Sequence, residues 1–152
     1  TVIARKGGDF MYQALDLSAY IVSKCIKDDS PISNLQLQKI LYYIQRDFLK
    51  NGGIAFSDDI EAWQFGPVVP NVYYRYCGFG SMPITNAAET SDCYFDSQDI
   101  QRIDSIVEEK RLLYPWDMVR ETHRVGGAWA QIYQDGMGNH RVIPVELIKT
   151  AG

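Results

Sequence analysis

Histidine is scarce in this chain: His123 and His140 are the only two among 152 residues. They stand seventeen apart, and Cys25, Cys77 and Cys93 lie far from both. No zinc-ligand spacing can be built from such a set. The three cysteines are odd in number and form no CxxC pair, so they read as reduced thiols of a cytosolic protein rather than a disulfide framework. No run approaches 18 apolar residues, which excludes a transmembrane helix. A basic excess is also missing. The formal net charge is −4, so there is no electrostatic footprint for nucleic acid and such a partner is not expected.

Phosphate cradles are equally thin. Gly78-Phe79-Gly80 and Gly136-Met137-Gly138 are GxG pairs with no third glycine and no following lysine. Asp28-Asp29 and Asp58-Asp59 read as solvated turns, and Asp135 to Asn139 lacks the other ligands of a calcium loop. Glu121-Thr122-His123 offers an acid, a hydroxyl and an imidazole in a row. Neighbours on a helix point about 100° apart, so these three cannot converge on one another. The residues themselves imply neither catalytic group nor metal nor cofactor.

What is present fits one folded domain. The hydrophobic fraction is 46% and the charged fraction 22%, both ordinary for a globular chain. Residues 1–10 read as a foreign or disordered leader before Met11, and 11–152 as the domain. Tyr12, Leu15, Ala19, Val22 and Ile26 recur at helical steps and predict a helix over 12–28. Ser33 and Gln36 form a capping-box pattern before a helix over 34–51. That helix carries two apolar stripes: Leu37, Ile40, Leu41, Ile44 and Phe48 on one side, and Leu35, Tyr42 and Leu49 on another. Two stripes predict a central helix packed on both sides; an exposed partner surface is the alternative. Lys39, Tyr43, Arg46 and Lys50 fall in the remaining polar wedge.

Residues 54–65 read as a short strand or extended arm, and 68–76 as a short helix after Gly66-Pro67. The segment 81–95 reads as a loop. Helices are predicted over 98–110, 115–123, 128–133 and 144–149. His123 then closes a helix, where it would cap carbonyls and favour the dipole. Tyrosine is abundant, ten of 152, which favours binding surfaces.

The stretches "ISNLQLQKILYYIQRDFL" (32–49) and "IEAWQFGPVVPNVYYRY" (60–76) resemble the Panacea domain family, which includes SocA-like and phage-associated GepA-like proteins. "WDMVRETHRVGGAW" (116–129) is similar to a third motif of that family, with Ala128 where proline is common. The resemblance implies a mainly α, single compact helical domain with a small antiparallel β element. It implies an antitoxin that binds a co-encoded toxin, in some relatives as an adaptor delivering it to an ATP-dependent protease. The motif residues it marks as structural are Gln38, Trp63, Gly66, Pro67, Pro70, His123 and Trp129. Gly66 and Pro67 would fix a scaffold corner with Trp63 as a core anchor beneath it. Tyr73, Tyr74 and Arg75 at that corner, with Tyr43 and Arg46 on the wedge, are the candidate partner contacts. Two other classes stand against this one: a small hydrolase or transferase around His123, and a nucleic-acid-binding regulator.

Overall fold

A computed structural model describes residues 11–88 and 94–152. The expected leader and part of the 81–95 loop, with Cys93, lie outside the described residues. The described residues form α1 (Ala14–Lys27), α2 (Asn34–Lys50), β1 (Glu61–Trp63), β2 (Gly66–Val68), α3 (Pro70–Tyr76), α4 (Ser97–Lys110), α5 (Pro115–Thr122), α6 (Ala128–Tyr133), β3 (Arg141–Val142) and α7 (Val145–Ala151). This is the mainly α architecture with a small antiparallel sheet that the sequence implies. No helix among the described residues is long and apolar enough to cross a membrane.

The organising element is α2. Its start is fixed by Ser33, whose hydroxyl accepts from the Gln36 N–H while the Gln36 side chain accepts from the Ser33 N–H. Helices α1, α3, α4, α5 and α7 and strand β2 all pack on it. Leu37, Ile40, Leu41 and Ile44 are fully buried, and Tyr42 and Leu49 on the second stripe are buried too. The central-helix expectation therefore holds at Tyr42 and Leu49, while Leu35 at the start of that stripe is half-buried and lines a surface groove. The polar wedge is narrower than expected. Lys39 is fully buried and Tyr43 only 7% exposed. Helices α5 and α7 and strand β2 cover the side where periodicity places solvent.

The sheet is three strands in the order β2-β1-β3, all antiparallel. Trp63 pairs with Gly66 across a tight hairpin turn at Gln64 and Phe65. Gly66 adopts φ +117, a conformation that favours glycine. The segment from Gly66 to Val68, expected as punctuation leading into a helix, is thus a strand. Pro67 is tolerated because β2 is an edge strand, where a missing N–H breaks no ladder. Pro70 then opens α3 at its first turn. Strand β3 was not foreseen; two residues are too few for an alternating pattern to register.

Candidate functional site

A row of buried polar side chains on α2 fixes the hairpin and α3. The Gln45 side chain accepts from the Ala55 N–H at 2.9 Å and donates to the Phe56 carbonyl at 2.7 Å. Lys39 Nζ donates to the Pro67 carbonyl at 3.2 Å. Gln38 Oε1 accepts from the Val69 N–H at 2.9 Å, and its Nε2 donates to Asn34 Oδ1 at 2.9 Å. Asn34 Nδ2 then donates to the Tyr73 carbonyl at 3.1 Å. All four side chains belong to buried residues. Four α2 side chains thus bind the backbone of a segment running from 55 to 73. An irregular chain buried this way needs such partners, since unpaired backbone groups are costly.

Lys39 has an unusual setting. Burial holds its amine down to about 7, against the ordinary 10.5. A Cβ added to Gly66 would lie 2.7 Å from Lys39 Cε and 2.9 Å from Thr122 Oγ1, so the turn rests directly on the lysine and on the end of α5. Beside it, His123 stacks flat on Trp129, with 3.6 Å between ring centroids, and Trp129 stacks on Tyr133 at 4.6 Å. The His123 imidazole bonds to the Phe65 backbone, while its Nε2 is buried with no hydrogen-bond partner. Burial first, and the Lys39 charge second, push His123 below its ordinary value.

This arrangement is a packed helix end. The Thr122 hydroxyl donates to the Val119 carbonyl at 3.0 Å and so is committed to its own helix. The expected capping of carbonyls by the His123 side chain is replaced by the stack on Trp129. Among the described residues, no cluster of three or more His, Cys, Asp or Glu could hold a metal ion.

The buried indole of the motif is Trp129, 8% exposed, whose Nε1 donates to the Trp63 carbonyl at 2.7 Å. Trp63 itself is half-buried, which corrects its expected place as core anchor. Strand alternation turns it to the outer face of β1, where it stacks on His140 at 4.3 Å and packs edge-on to Tyr73 at 4.8 Å. His140 is held there with φ +68, its N–H donated to the Ala62 carbonyl at 2.7 Å. Phe65 and Trp116, which meet edge to face at 5.3 Å, line a groove of about 490 Å³ together with Trp63 and His140. Both are exposed, Phe65 at 46% and Trp116 at 57%.

The candidate partner residues fall into two places. Tyr73, Tyr74 and Arg75 share α3 beside this groove; Tyr74 is 62% exposed and Arg75 is exposed. Tyr43 and Arg46 line a separate cleft with Lys110, Glu121 and Arg124. There the Tyr43 hydroxyl donates to the Glu121 carboxylate, and Lys110 sits 4.2 Å over the Tyr43 ring. Burial, then the Glu121 bond, raise the Tyr43 phenol above its ordinary value. Sequence reasoning missed Lys39, Phe65 and Trp116. Lysine in a polar wedge reads as solvated, and single exposed aromatics carry no periodic signal.

Comparison with known proteins gives a family. The model described as "Antitoxin SocA-like, Panacea domain" matches residues 37–130. Antitoxin SocA of Caulobacter vibrioides (strain NA1000 / CB15N) is 31% identical over 131 residues, covering 79% of this chain and 69% of its own length. No solved structure matches.

Proposed function

This chain belongs to the antitoxin SocA-like family that carries the Panacea domain, and from that membership we propose that it neutralises a cognate toxin by binding it directly, without turning over a substrate. The observation that carries this reading is the hairpin corner. A buried polar row holds it rigid from beneath, and its outer surface is aromatic and exposed. Rigid aromatic surfaces bind partners at low entropic cost. The partner surface is centred on Tyr73, Tyr74 and Arg75, with Arg46 in the second cleft as a flanking contact. The free thiols of Cys25 and Cys77 fit action in a reducing cytoplasm.

Co-expression with the adjacent gene product in a heterologous bacterium tests the reading. Restored growth and a stable purified complex support it; no binding and no rescue by the unaltered chain overturn it. Repeating the rescue in a strain lacking the ATP-dependent protease separates two modes. Rescue that persists there is masking, and rescue that vanishes is delivery for proteolysis.

A further inference from the structure

We infer that the cleft where Arg46, Lys110 and Arg124 meet receives a single carboxylate, and that an Asp or Glu side chain of the bound partner supplies it. Which protein supplies it rests on the antitoxin reading. The charge of the cleft rests on its own residues.

Three cations from three parts of the fold converge here: Arg46 on α2, Lys110 at the end of α4 and Arg124 after α5. Among the described lining residues Glu121 is the one acidic side chain, in a chain whose formal net charge is −4. The cleft thus runs against the charge of the whole chain and attracts an anion. A carboxylate at Gly152, which also lines it, would still leave the balance positive.

Two of the cations are committed. Lys110 pairs with Glu121 at 3.3 Å and lies over the Tyr43 ring. Arg124 donates to the Ala151 and Gly152 main-chain oxygens at 2.6 and 3.2 Å. Arg46 is left. Among the described residues its guanidinium has no hydrogen-bond or ion-pair partner, and the Tyr42 hydroxyl has no hydrogen-bond partner either. Burial raises the Tyr42 phenol above its ordinary value, and the charges of Arg46 and Arg124 pull it back, so both cations lie near that hydroxyl. A guanidinium fork beside a phenol O–H is a donor set for one carboxylate. A dianion such as phosphate fits less well, because its second charge would meet Glu121. Burial pushes the Glu121 carboxyl up, but the Tyr43 bond and the Lys110 charge hold it below its ordinary value, so it stays ionised. The volume, about 310 Å³, admits one Asp or Glu side chain.

The first test uses the full chain at constant ionic strength with three probes: blocked Gly-Glu-Gly, blocked Gly-Gln-Gly and inorganic phosphate. Binding is read from the Arg46 Nε–H signal and the Tyr42 ring signals. The glutamate peptide should bind at least about tenfold tighter than the glutamine peptide. Arg46→Met should abolish that preference with unchanged melting, and Arg46→Lys, which keeps the charge but not the fork, should retain only part of it. A preference that survives Arg46→Met, no preference in the unaltered chain, or phosphate bound more tightly than the glutamate peptide overturns the inference. The second test is calorimetry with the adjacent gene product. Arg46→Met should bind it about tenfold more weakly than the unaltered chain, and with less dependence on salt. Changing each partner Asp to Asn and each Glu to Gln in turn should find one acid whose loss weakens the unaltered chain about tenfold and leaves Arg46→Met unaffected. Peptide preference without partner binding sinks the antitoxin reading and leaves the cleft's chemistry standing; partner binding in which no acid couples to Arg46 overturns the inference and leaves the antitoxin reading standing.

Discussion

The side chain of Lys39 fills the space that a Cβ on Gly66 would need: that atom would lie 2.7 Å from Lys39 Cε. Position 66 is therefore constrained by φ +117, by the lysine beneath it and by the Thr122 hydroxyl, 2.9 Å from the same atom. Gly66→Ala should destabilise the fold by at least about 2 kcal/mol in urea unfolding. In a Lys39→Ala background part of that cost should vanish, because the clash with Lys39 is gone while the clash with Thr122 Oγ1 and the φ strain remain. Equal costs in both backgrounds would show that the contact carries no energy.

Lys39 also makes stability depend on pH. The unfolded chain binds a proton at this amine below about 10.5, and the folded chain only below about 7. Between those values the unfolded state holds one more proton, so stability rises with pH, by about 1.4 kcal/mol per unit. Lys39→Met removes that slope. Met should be the more stable form at pH 7, and its advantage should shrink steadily towards pH 8.5. Urea unfolding at four pH values in that range checks this, staying below the region where the buried Cys25 thiol, raised above its ordinary 9.0, begins to contribute. Parallel stability profiles for the two proteins would contradict the buried-amine account.

Gln38 binds in two directions, to Val69 and to Asn34. Gln38→Leu keeps the volume roughly constant and orphans the buried Val69 N–H. The expected cost is about 1–3 kcal/mol. Amide exchange at Val69 should accelerate more than at Leu41, which lies on the same helix but keeps its own ladder bond. Uniform acceleration across α2 would mean that the bridge holds nothing local.

Trp129 and Trp63 should behave differently when truncated. Trp129 is buried between His123 and Tyr133, so Trp129→Ala should cost about 3–5 kcal/mol. Trp63 is half-buried on the outer face of β1, and Trp63→Ala should cost less than half as much. Thermal melts of both variants decide it. A larger loss for Trp63 would restore it as the core anchor.

Much of α2 was legible because helical periodicity, a capping box and two apolar stripes are local signals. The buried polar row was legible only in part. At about 100° per residue, Asn34, Gln38 and Gln45 fall within about 40° of arc, between the two stripes. A polar strip there joins them into one continuous buried surface, a sign that the helix is enclosed rather than two-faced. What the strip binds lies 10 to 39 residues away, and no periodicity encodes such a partner. Lys39 shows the same limit. Its burial is decided by a hairpin that returns over it 28 residues later. The groove was least legible, since Phe65 and Trp116 come from different elements and meet only in the fold.

The two candidate partner surfaces can be told apart by what their side chains already do. Tyr43 is 7% exposed, its hydroxyl is held by Glu121 and its ring lies under Lys110. Tyr43→Ala should therefore lower the melting temperature, and any loss of binding should follow the loss of fold. Tyr74 is 62% exposed and Arg75 is exposed beside it. A Tyr74→Ala/Arg75→Ala double variant should melt like the unaltered protein. If α3 is the binding corner, it should still lose about 2 kcal/mol or more of affinity for the partner, roughly thirtyfold. Calorimetry on the purified, folded variant measures this directly, and growth rescue should weaken in parallel. Full affinity in the double variant, with affinity lost on Arg46→Ala in an equally stable protein, would move the binding surface from α3 to the second cleft.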